Sequence, residues 1–437
     1  MKMGEIKGRT FDLLTLGQLL LRLSPPDNDR LSRGDTFVKQ VGGAELNVAV
    51  GASLLGLHTG VISKLPSHDI GSFMKGKIRS FGVSDDFFMY DHSPSARVGI
   101  YYYENGAYPR KPKVIYDRMN SSFFTLDIDE IPEEVYTASK CFHTTGITLA
   151  LSEKIRETTI EMIKRFKEAG TLVSFDVNFR GNLWTGDEAR ECIERILPYV
   201  DIFFCSEDTA RLTFLKTGTA KEMMKSFTEE YPISIVASTQ RIVHSPKRHT
   251  FGSVIYDAAR DTFYEEEPYR DIEVVDRIGS GDAYISGALY GLLSSGGDCQ
   301  KAVAFGNATA AVKNTIPGDL PSSNLEEIEN LTIVSKTGEY FRLKEIAMIS
   351  ESYARPARNL MKVNNTPALG IAISTVSDGN VVNMAALVKE TVERTNVEMP
   401  DGFELLTIYD QGYESAVAND GFILNLIISV LTVVAVL

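Results

Sequence analysis

Apolar residues in the first two-thirds of the chain fall into short runs that alternate with stretches of helical spacing. Phe11 to Leu23 is one such run, ending at Ser24-Pro25-Pro26, and it predicts a buried first strand entering a turn. Gly42-Gly43 precede Ala44 to Leu57, where Leu46, Val50, Ser53, Leu54 and Leu57 share one helical face, and a short strand follows around Val61. The unit repeats as strand Cys141 to Thr145, helix Ser152 to Ala169 closed by Gly170, and strand Leu172 to Val177. A helix opened by the capping box Thr185 to Glu188 comes next, then strands at Ile202 to Phe204 and Ile233 to Ala237.

Strands alternating with helices predict an α/β fold with a mainly parallel sheet covered on both faces, binding ligands beyond the carboxyl ends of its strands. One stretch breaks the pattern. Arg97 to Tyr103 and Lys113 to Arg118 are rich in Tyr and Val, flank a Gly/Pro-containing turn, and predict antiparallel strands of a small β lid over about residues 95–118. No repeat of solenoid period and no low-complexity tract is present.

Composition narrows the class. A chain of 437 residues with 43% apolar and 24% charged residues is globular and long enough for one large domain plus an appended piece. A net charge of -13 speaks against nucleic acid as a partner, while a local basic site for an anionic substrate stays allowed. Cys141, Cys192, Cys205 and Cys299 lie far apart, which predicts free, mostly buried thiols rather than a disulfide framework or a zinc knuckle. The apolar run after the charged N-terminus is interrupted by Asp12, Gly17 and Arg22, so no signal peptide is expected and the chain should be cytoplasmic.

The sharpest chemical signal is Asp276-Arg-Ile-Gly279-Ser280-Gly281-Asp282 ahead of a helix whose Ile285, Ala288, Leu289 and Leu292 share a face. A glycine turn feeding a helix points backbone N–H groups and the positive helix end at an anion, which suits a transferring phosphoryl group. A carboxylate at the helix start, Asp282, can take the proton of an attacking hydroxyl. The plain alternative is an ordinary loop with an Asp cap.

Together with Gly42-Gly43-Ala44-Glu45-Leu46-Asn47, this motif resembles those of the ribokinase-like (PfkB) carbohydrate kinases, over roughly Phe11 to Pro321. The resemblance implies a three-layer α/β domain with a β lid, Gly279, Ser280 and Gly281 as the anion hole, and Asp282 as the base. Leu21 to Pro26, Phe142 to Thr148 and Ser174 to Arg180 resemble the 2-keto-3-deoxygluconate kinases in particular. That likeness implies a sugar-acid site lined by Gly43, Asn47, Tyr101, Tyr116, Arg118, Ile147 and Arg180. Two arginines suit a carboxylate, because the guanidinium fork meets both oxygens. Surface charge is the alternative for Arg118 and Arg180.

For the nucleotide, the resemblance implies Ser206 and Asn307 near ATP and Asp319 at the mouth of the site. Ser206-Glu-Asp-Thr209 stands where many members carry an NxxE motif that organises magnesium, so Mg2+ is expected to be held mostly by ATP oxygens and water, with no protein ligands assigned. Ala237-Ser-Thr-Gln-Arg241 replaces a glycine-rich stretch and reads as a loop, followed by Lys247-Arg248-His249, which either faces ATP phosphates or is solvated. Asp176 reads as a structural ion-pair partner of Arg180 rather than a catalytic group. Histidine spacing offers no zinc site.

After Pro321 the text changes. Glu351 to Asn359, Pro367 to Ser374 and Tyr409-Asp410-Gln411 resemble a porter-domain segment of resistance-nodulation-division efflux transporters. The expected division is a kinase domain over 1–325, a porter-like α+β fragment over 326–420, and an apolar helix over 421–437. Phe422 to Leu437 spans about 24 Å at ~1.5 Å per residue, short of the ~30 Å hydrocarbon core, so it predicts at most a truncated span with weak membrane association. A buried core helix is the alternative. The tail lacks the intramembrane carboxylates of a proton-driven pump, which leaves the kinase as the functional part, joined by gene fusion near Asn324 to Glu329. The expected reaction is ATP-dependent phosphorylation of 2-keto-3-deoxygluconate. Another sugar kinase, of fructokinase or ribokinase type, a silent sugar or nucleotide sensor, and a membrane-tethered efflux component are the alternatives, and a homo-oligomer stays open.

Overall fold

Residues 8–106, 109–334 and 340–342 are described by a computed structural model, as are 361–363, 366–368, 373, 380–398, 405–411, 413–415, 417–419 and 422 of the C-terminal stretch. The chain divides into two units, residues 1–351 and 352–437.

The first unit is built on a ten-stranded sheet. Its strands are β1 (Phe11–Leu16), β4 (Thr59–Pro66), β5 (Phe88–Asp91), β8 (Ser139–Thr145), β9 (Leu172–Asp176), β10 (Ile202–Phe204), β11 (Ile235–Ser245), β12 (Arg248–Asp257), β13 (Thr262–Glu265) and β14 (Tyr269–Glu273). From β11 through β10, β9, β8, β1 and β4 to β5 every pair is parallel, and β12 joins β11, β13 and β14 antiparallel. Successive side chains of a strand point to opposite faces. Val173, Phe175, Phe203 and Val236 therefore enter one core, while Leu172, Ile202, Phe204 and Ile235 enter the other, beneath helices Ser280–Ser295 and Cys299–Asn314. The predicted helix ends hold: Ser152 caps Glu153–Glu168, and Thr185 and Glu188 form the capping box of Gly186–Glu194.

Two expectations need correction. Phe11 to Leu23 is not one strand: β1 ends at Leu16, and β2 (Leu20–Ser24) belongs to a second sheet with β3 (Val38–Gly42), β6 (Gly99–Glu104) and β7 (Lys113–Asp117), in the order β3-β2-β6-β7. The chain breaks at Gly17, where a Cβ would stand 2.2 Å from Glu45 Oε2, so only glycine lets the two segments pass that carboxylate. The lid hairpin β6–β7 is antiparallel as expected and sets Tyr101 opposite Tyr116, but two further strands from residues 20–42 complete the sheet. Ala237 to Arg241 is likewise not a loop but the middle of β11, paired with Phe251 to Ile255 of β12.

All four cysteines are free and buried. Helix Leu325–Glu329 belongs to the first unit, with Ile328 fully buried and Leu331 packed on the same core. In the second unit, strands Met361–Val363 and Thr366–Ala368 pair antiparallel, and helix Val381–Glu398 is tied at Asn396, whose side chain bonds both backbone groups of Leu405 at 2.7 and 3.0 Å. Among the described residues, no helix is long and apolar enough to cross a membrane. Glu351 to Asn359 and residues 423–437 of the apolar run lie outside the described residues.

Candidate active site

The turn after β14 is folded by its own first residue. Asp276 Oδ1 accepts from the Ile278 N–H at 3.0 Å, and Asp276 Oδ2 accepts from the Gly318 N–H at 3.1 Å. Gly279 then adopts φ +79°, and a Cβ there would lie 2.1 Å from the Asp319 carbonyl oxygen, so the motif requires glycine for two reasons at once. Helix Ser280–Ser295 begins without a side-chain cap. Its first turn is left to satisfy an anion, and Gly281 is exposed with no atom within 4 Å of where a Cβ would be. Ser280 is buried beneath the turn.

Asp282 lies in this first turn, half-buried, and accepts a hydrogen bond from Asn47 Nδ2 at 2.6 Å. Burial pushes its carboxyl up to about 6, with Glu45 and Asp319 adding to the rise while the Asn47 bond and Arg180 oppose it. A general base is most useful near the working pH, and this is where that environment puts it. Asn47 comes from helix Ala44–Leu54, whose entry is Gly43, the carbonyl of which accepts from the Asn47 N–H at 2.8 Å. Asn47 Oδ1 is buried and has no protein partner.

Two more carboxylates converge on Asp282. Asp176, at the end of β9, is pushed up to about 7 by burial and by Asp282, against the Asn178 N–H it accepts from and against Arg180. No ion pair joins it to Arg180 among the described residues; Arg180 and Asp282 act on it through their fields alone. Glu45 is buried, accepts from Thr145 and Thr148 hydroxyls at 2.7 Å each, and is raised chiefly by burial. The described residues hold no cluster of three His, Cys, Asp or Glu side chains fit for a metal ion.

The lid contributes cations and rings. Arg118, one residue past β7, is buried; its Nε donates to Gln18 Oε1 at 2.8 Å, and its guanidinium lies 5.7 Å from the Tyr116 ring centroid. Burial depresses it, with Arg180 adding to the fall and Glu45 opposing. Arg118, Arg180 and Glu45 thus share one field, and Tyr116 and Arg180 are exposed beside it. Ile147, whose N–H donates to Thr145 Oγ1 at 3.2 Å, is partly buried behind β8. Tyr101 is placed differently. Its hydroxyl donates to Asp319 and is buried there.

Asp319 is itself a member of a buried charge cluster that sequence reasoning missed. Arg22 of β2 donates to Asp319 Oδ1 at 2.6 Å and to Asp276 Oδ2 at 2.9 Å, with its guanidinium 4.2 Å from the Tyr103 ring centroid. Arg22, which is 2% exposed, and Tyr101 therefore bind the second sheet to Asp276 of the glycine turn and to Asp319. A lone Arg inside the apolar run Leu19 to Leu23 was the available signal, since a charge in a buried strand needs a partner.

On the far side of the turn, Ser206 caps helix Glu207–Leu212 and its hydroxyl meets Thr209 Oγ1 at 2.8 Å. Asn307, on helix Cys299–Asn314, is fully buried with both polar side-chain atoms unpartnered. Such a group calls for a ligand or water. Of the basic run, Lys247 is exposed in the turn between β11 and β12, Arg248 is exposed and pairs with Glu273 at 3.4 Å, and His249 is 2% exposed, so only the first two fit a solvated turn. Arg241 is instead the strand cation that lies in the field of Arg277, beside the turn.

Comparisons with known proteins bear on the family and the fold. The model of the pfkB family carbohydrate kinases matches residues 10–324, and that of the AcrB/AcrD/AcrF family matches residues 306–437. A 2-dehydro-3-deoxygalactonokinase of Haloferax volcanii is 35% identical over 74% of this chain and 96% of its own length. A 5-dehydro-2-deoxygluconokinase of Clostridium botulinum is 30% identical over 70% of this chain and 88% of its own. The crystal structure of 2-dehydro-3-deoxygluconokinase from Thermotoga maritima superposes with a TM-score of 0.69 at 31% identity, covering 73% of this chain and 98% of that one. An Escherichia coli relative solved with ATP and Mg2+ aligns with a TM-score of 0.62 at 21% identity, covering 73% of this chain and 98% of its own, which speaks for the fold alone.

Proposed function

This chain belongs to the pfkB family of carbohydrate kinases, and from that premise we propose that its first unit transfers the γ-phosphate of ATP to a hydroxyl of a 2-keto-3-deoxy sugar acid, with 2-keto-3-deoxygluconate as substrate. The observation that carries the reading is Asp282: a carboxyl pushed up to about 6, held by Asn47, in the uncapped first turn of a helix behind an open Gly281.

In this reading the substrate hydroxyl lies against Asp282, which takes its proton as the oxygen attacks phosphorus in line. Backbone N–H groups of Gly279 to Gly281 and the helix end stabilise charge on the phosphoryl oxygens. Arg118 and Arg180 receive the sugar-acid carboxylate. Arg118 supports an acid over a neutral sugar, because among the described residues this buried guanidinium has no ion-pair partner. Ser206 and the unpartnered Asn307 are read as nucleotide contacts, and Arg241 and Arg277, which share one field beside the glycine turn, as partners for its phosphates. Mg2+, when bound with ATP, would screen the phosphate charge, and since the described residues hold no group of carboxylates set for a metal ion it would be held mostly by ATP oxygens and water. The tail beyond Leu331 reads as a fused remnant of an efflux transporter with no part in catalysis.

The test is a coupled ADP-release assay over 2-keto-3-deoxygluconate, its galactonate epimer, fructose and ribose, with wild type and Asp282→Asn. The sugar acids are expected to turn over and the neutral sugars to be poor substrates. Asn at 282 is expected to remove turnover and spare binding. An unaltered rate in that variant refutes the assignment of the base, and a preference for ribose or fructose refutes the substrate class.

A further inference from the structure

Helix Cys299–Asn314 is mostly buried along its length and closes with a lysine that does not reach solvent. Lys313 is 1% exposed, yet among the described residues it forms no ion pair, and its ammonium donates only to backbone carbonyls: Ile316 O at 3.0 Å and Asp276 O at 3.5 Å. Burying an ammonium costs several kcal/mol unless its surroundings answer the charge. Here burial depresses Lys313 while the fields of Asp276, Asp319 and Asp282 oppose that, so the lysine lies within electrostatic reach of the catalytic carboxyl without touching it. A methionine or leucine would fill the same volume at no such cost.

The two carbonyls explain what the charge is for. Asp276 opens the turn that ends in Asp282, and Ile316 opens the turn that carries Gly318 and Asp319. These turns already lean on each other: the Asp276 N–H donates to Asn314 O at 3.2 Å, the Gly318 N–H donates to Asp276 Oδ2, and Gly279 abuts the Asp319 carbonyl. A shift between them moves Gly279 and hence the helix start on which Asp282 stands. Beside Lys313 is a small cavity lined by Gly51, Ser286, Thr309, Ile316 and Ser323, and the buried Ser323 hydroxyl has no protein partner.

We propose that Lys313 is a positioning residue for phosphoryl transfer, its ammonium clamping the Asp276 and Ile316 carbonyls so that the phosphate-binding turn and Asp282 keep their register; this rests on the kinase reading above. The reacting atoms are never touched by Lys313, so its loss should act on turnover and leave binding of either substrate nearly as it was.

Steady-state kinetics of Lys313→Met test this, in the full chain and beside wild type. A displacement of about 1 Å in a reacting group costs on the order of 10²-fold, and kcat is expected to fall on that order with both KM values little changed. Lys313→Ala, unlike the methionine variant, leaves the two carbonyls facing a cavity, so ammonium or methylammonium added to the assay is expected to restore part of the lost kcat in the alanine variant and leave wild type unaffected. A merely structural lysine would lower the melting temperature while kcat per folded molecule stayed the same and the added cations did nothing; that result overturns the proposal. Should Lys313→Met fail to accumulate as folded protein, Lys313→Gln is read in the same way, where a lowered kcat at unchanged KM supports the clamp and an unchanged kcat overturns it. A wild type that turns over no sugar acid overturns the kinase reading and this inference with it, whereas an active wild type with an equally active variant sinks the clamp alone.

Discussion

Replacing Arg22 by methionine is the most direct probe of how the lid is bound to the catalytic turn. The guanidinium is 2% exposed and contacts Asp276 at 2.9 Å and Asp319 at 2.6 Å. Removing one partner of a buried pair leaves an uncompensated charge and costs about 3–5 kcal/mol. The remaining bonds decide where the damage falls. Asp276 keeps the Ile278 and Gly318 N–H groups, whereas Asp319 keeps only the Tyr101 hydroxyl, so Asp319 bears most of it. With an unfolding entropy near 2.1 cal/mol/K per residue over a unit of this size, the melting temperature should fall by roughly 4–8 °C at pH 7.5. The sign with pH follows. Burial already raises the Asp319 carboxyl and Arg22 opposes that, so the variant's folded-state value moves further above its unfolded value. A raised acid destabilises the folded state at high pH and stops doing so as pH falls below it. The deficit between variant and wild type should therefore shrink as pH is lowered towards 5. Differential scanning calorimetry at several pH values measures both quantities. A loss no larger than the ~1 kcal/mol of an exposed pair, or a deficit that does not change with pH, would refute the view that this arginine ties the lid to the turn.

Three further outcomes are expected. Because Asp282 must be ionised to accept a proton and is pushed up to about 6, kcat/KM should rise with pH through an acid limb centred near that value, and a flat profile between pH 5 and 7 would speak against it as base. Arg118→Gln removes a charged bond worth about 1.5–3 kcal/mol, so KM for the sugar acid should rise roughly tenfold to a hundredfold; equal losses for acid and neutral sugars would show that Arg118 does not read the carboxylate. Truncation after Leu331 keeps Ile328 and Leu331 on the core and should leave kcat and melting temperature unchanged, while loss of folding would make the tail an integral element.

Local chemistry along the sequence revealed the parts of this protein whose cause is local. The capping box of Thr185 and Glu188, the Ser152 cap and the glycine turn 276–282 each hold their own reason within a few residues, and each appears as expected. β11 was missed beyond Ala237 because Ser238 to Arg241 offer no apolar alternation: that half of the strand leaves the core and is held by backbone pairing with β12. β2 was merged with β1 because apolar content continues through Leu19 to Leu23, while the break at Gly17 is set by Glu45, a residue 28 positions away. Arg22 signals a buried charge by its place in an apolar run, but the identity of its partners is not legible there, since they lie on distant turns.

Those distances bear on how the chain matures as it leaves the ribosome. Arg22 is separated from Asp276 by 254 positions and from Asp319 by 297, so at about 5–20 residues per second its first counter-ion is translated some 13–50 s after it. Until then the N-terminal hairpin carries an unanswered cation on a half-made sheet. A ribosome that stalls before Asp276 therefore holds a nascent chain in which Arg22 lacks both of its buried counter-ions.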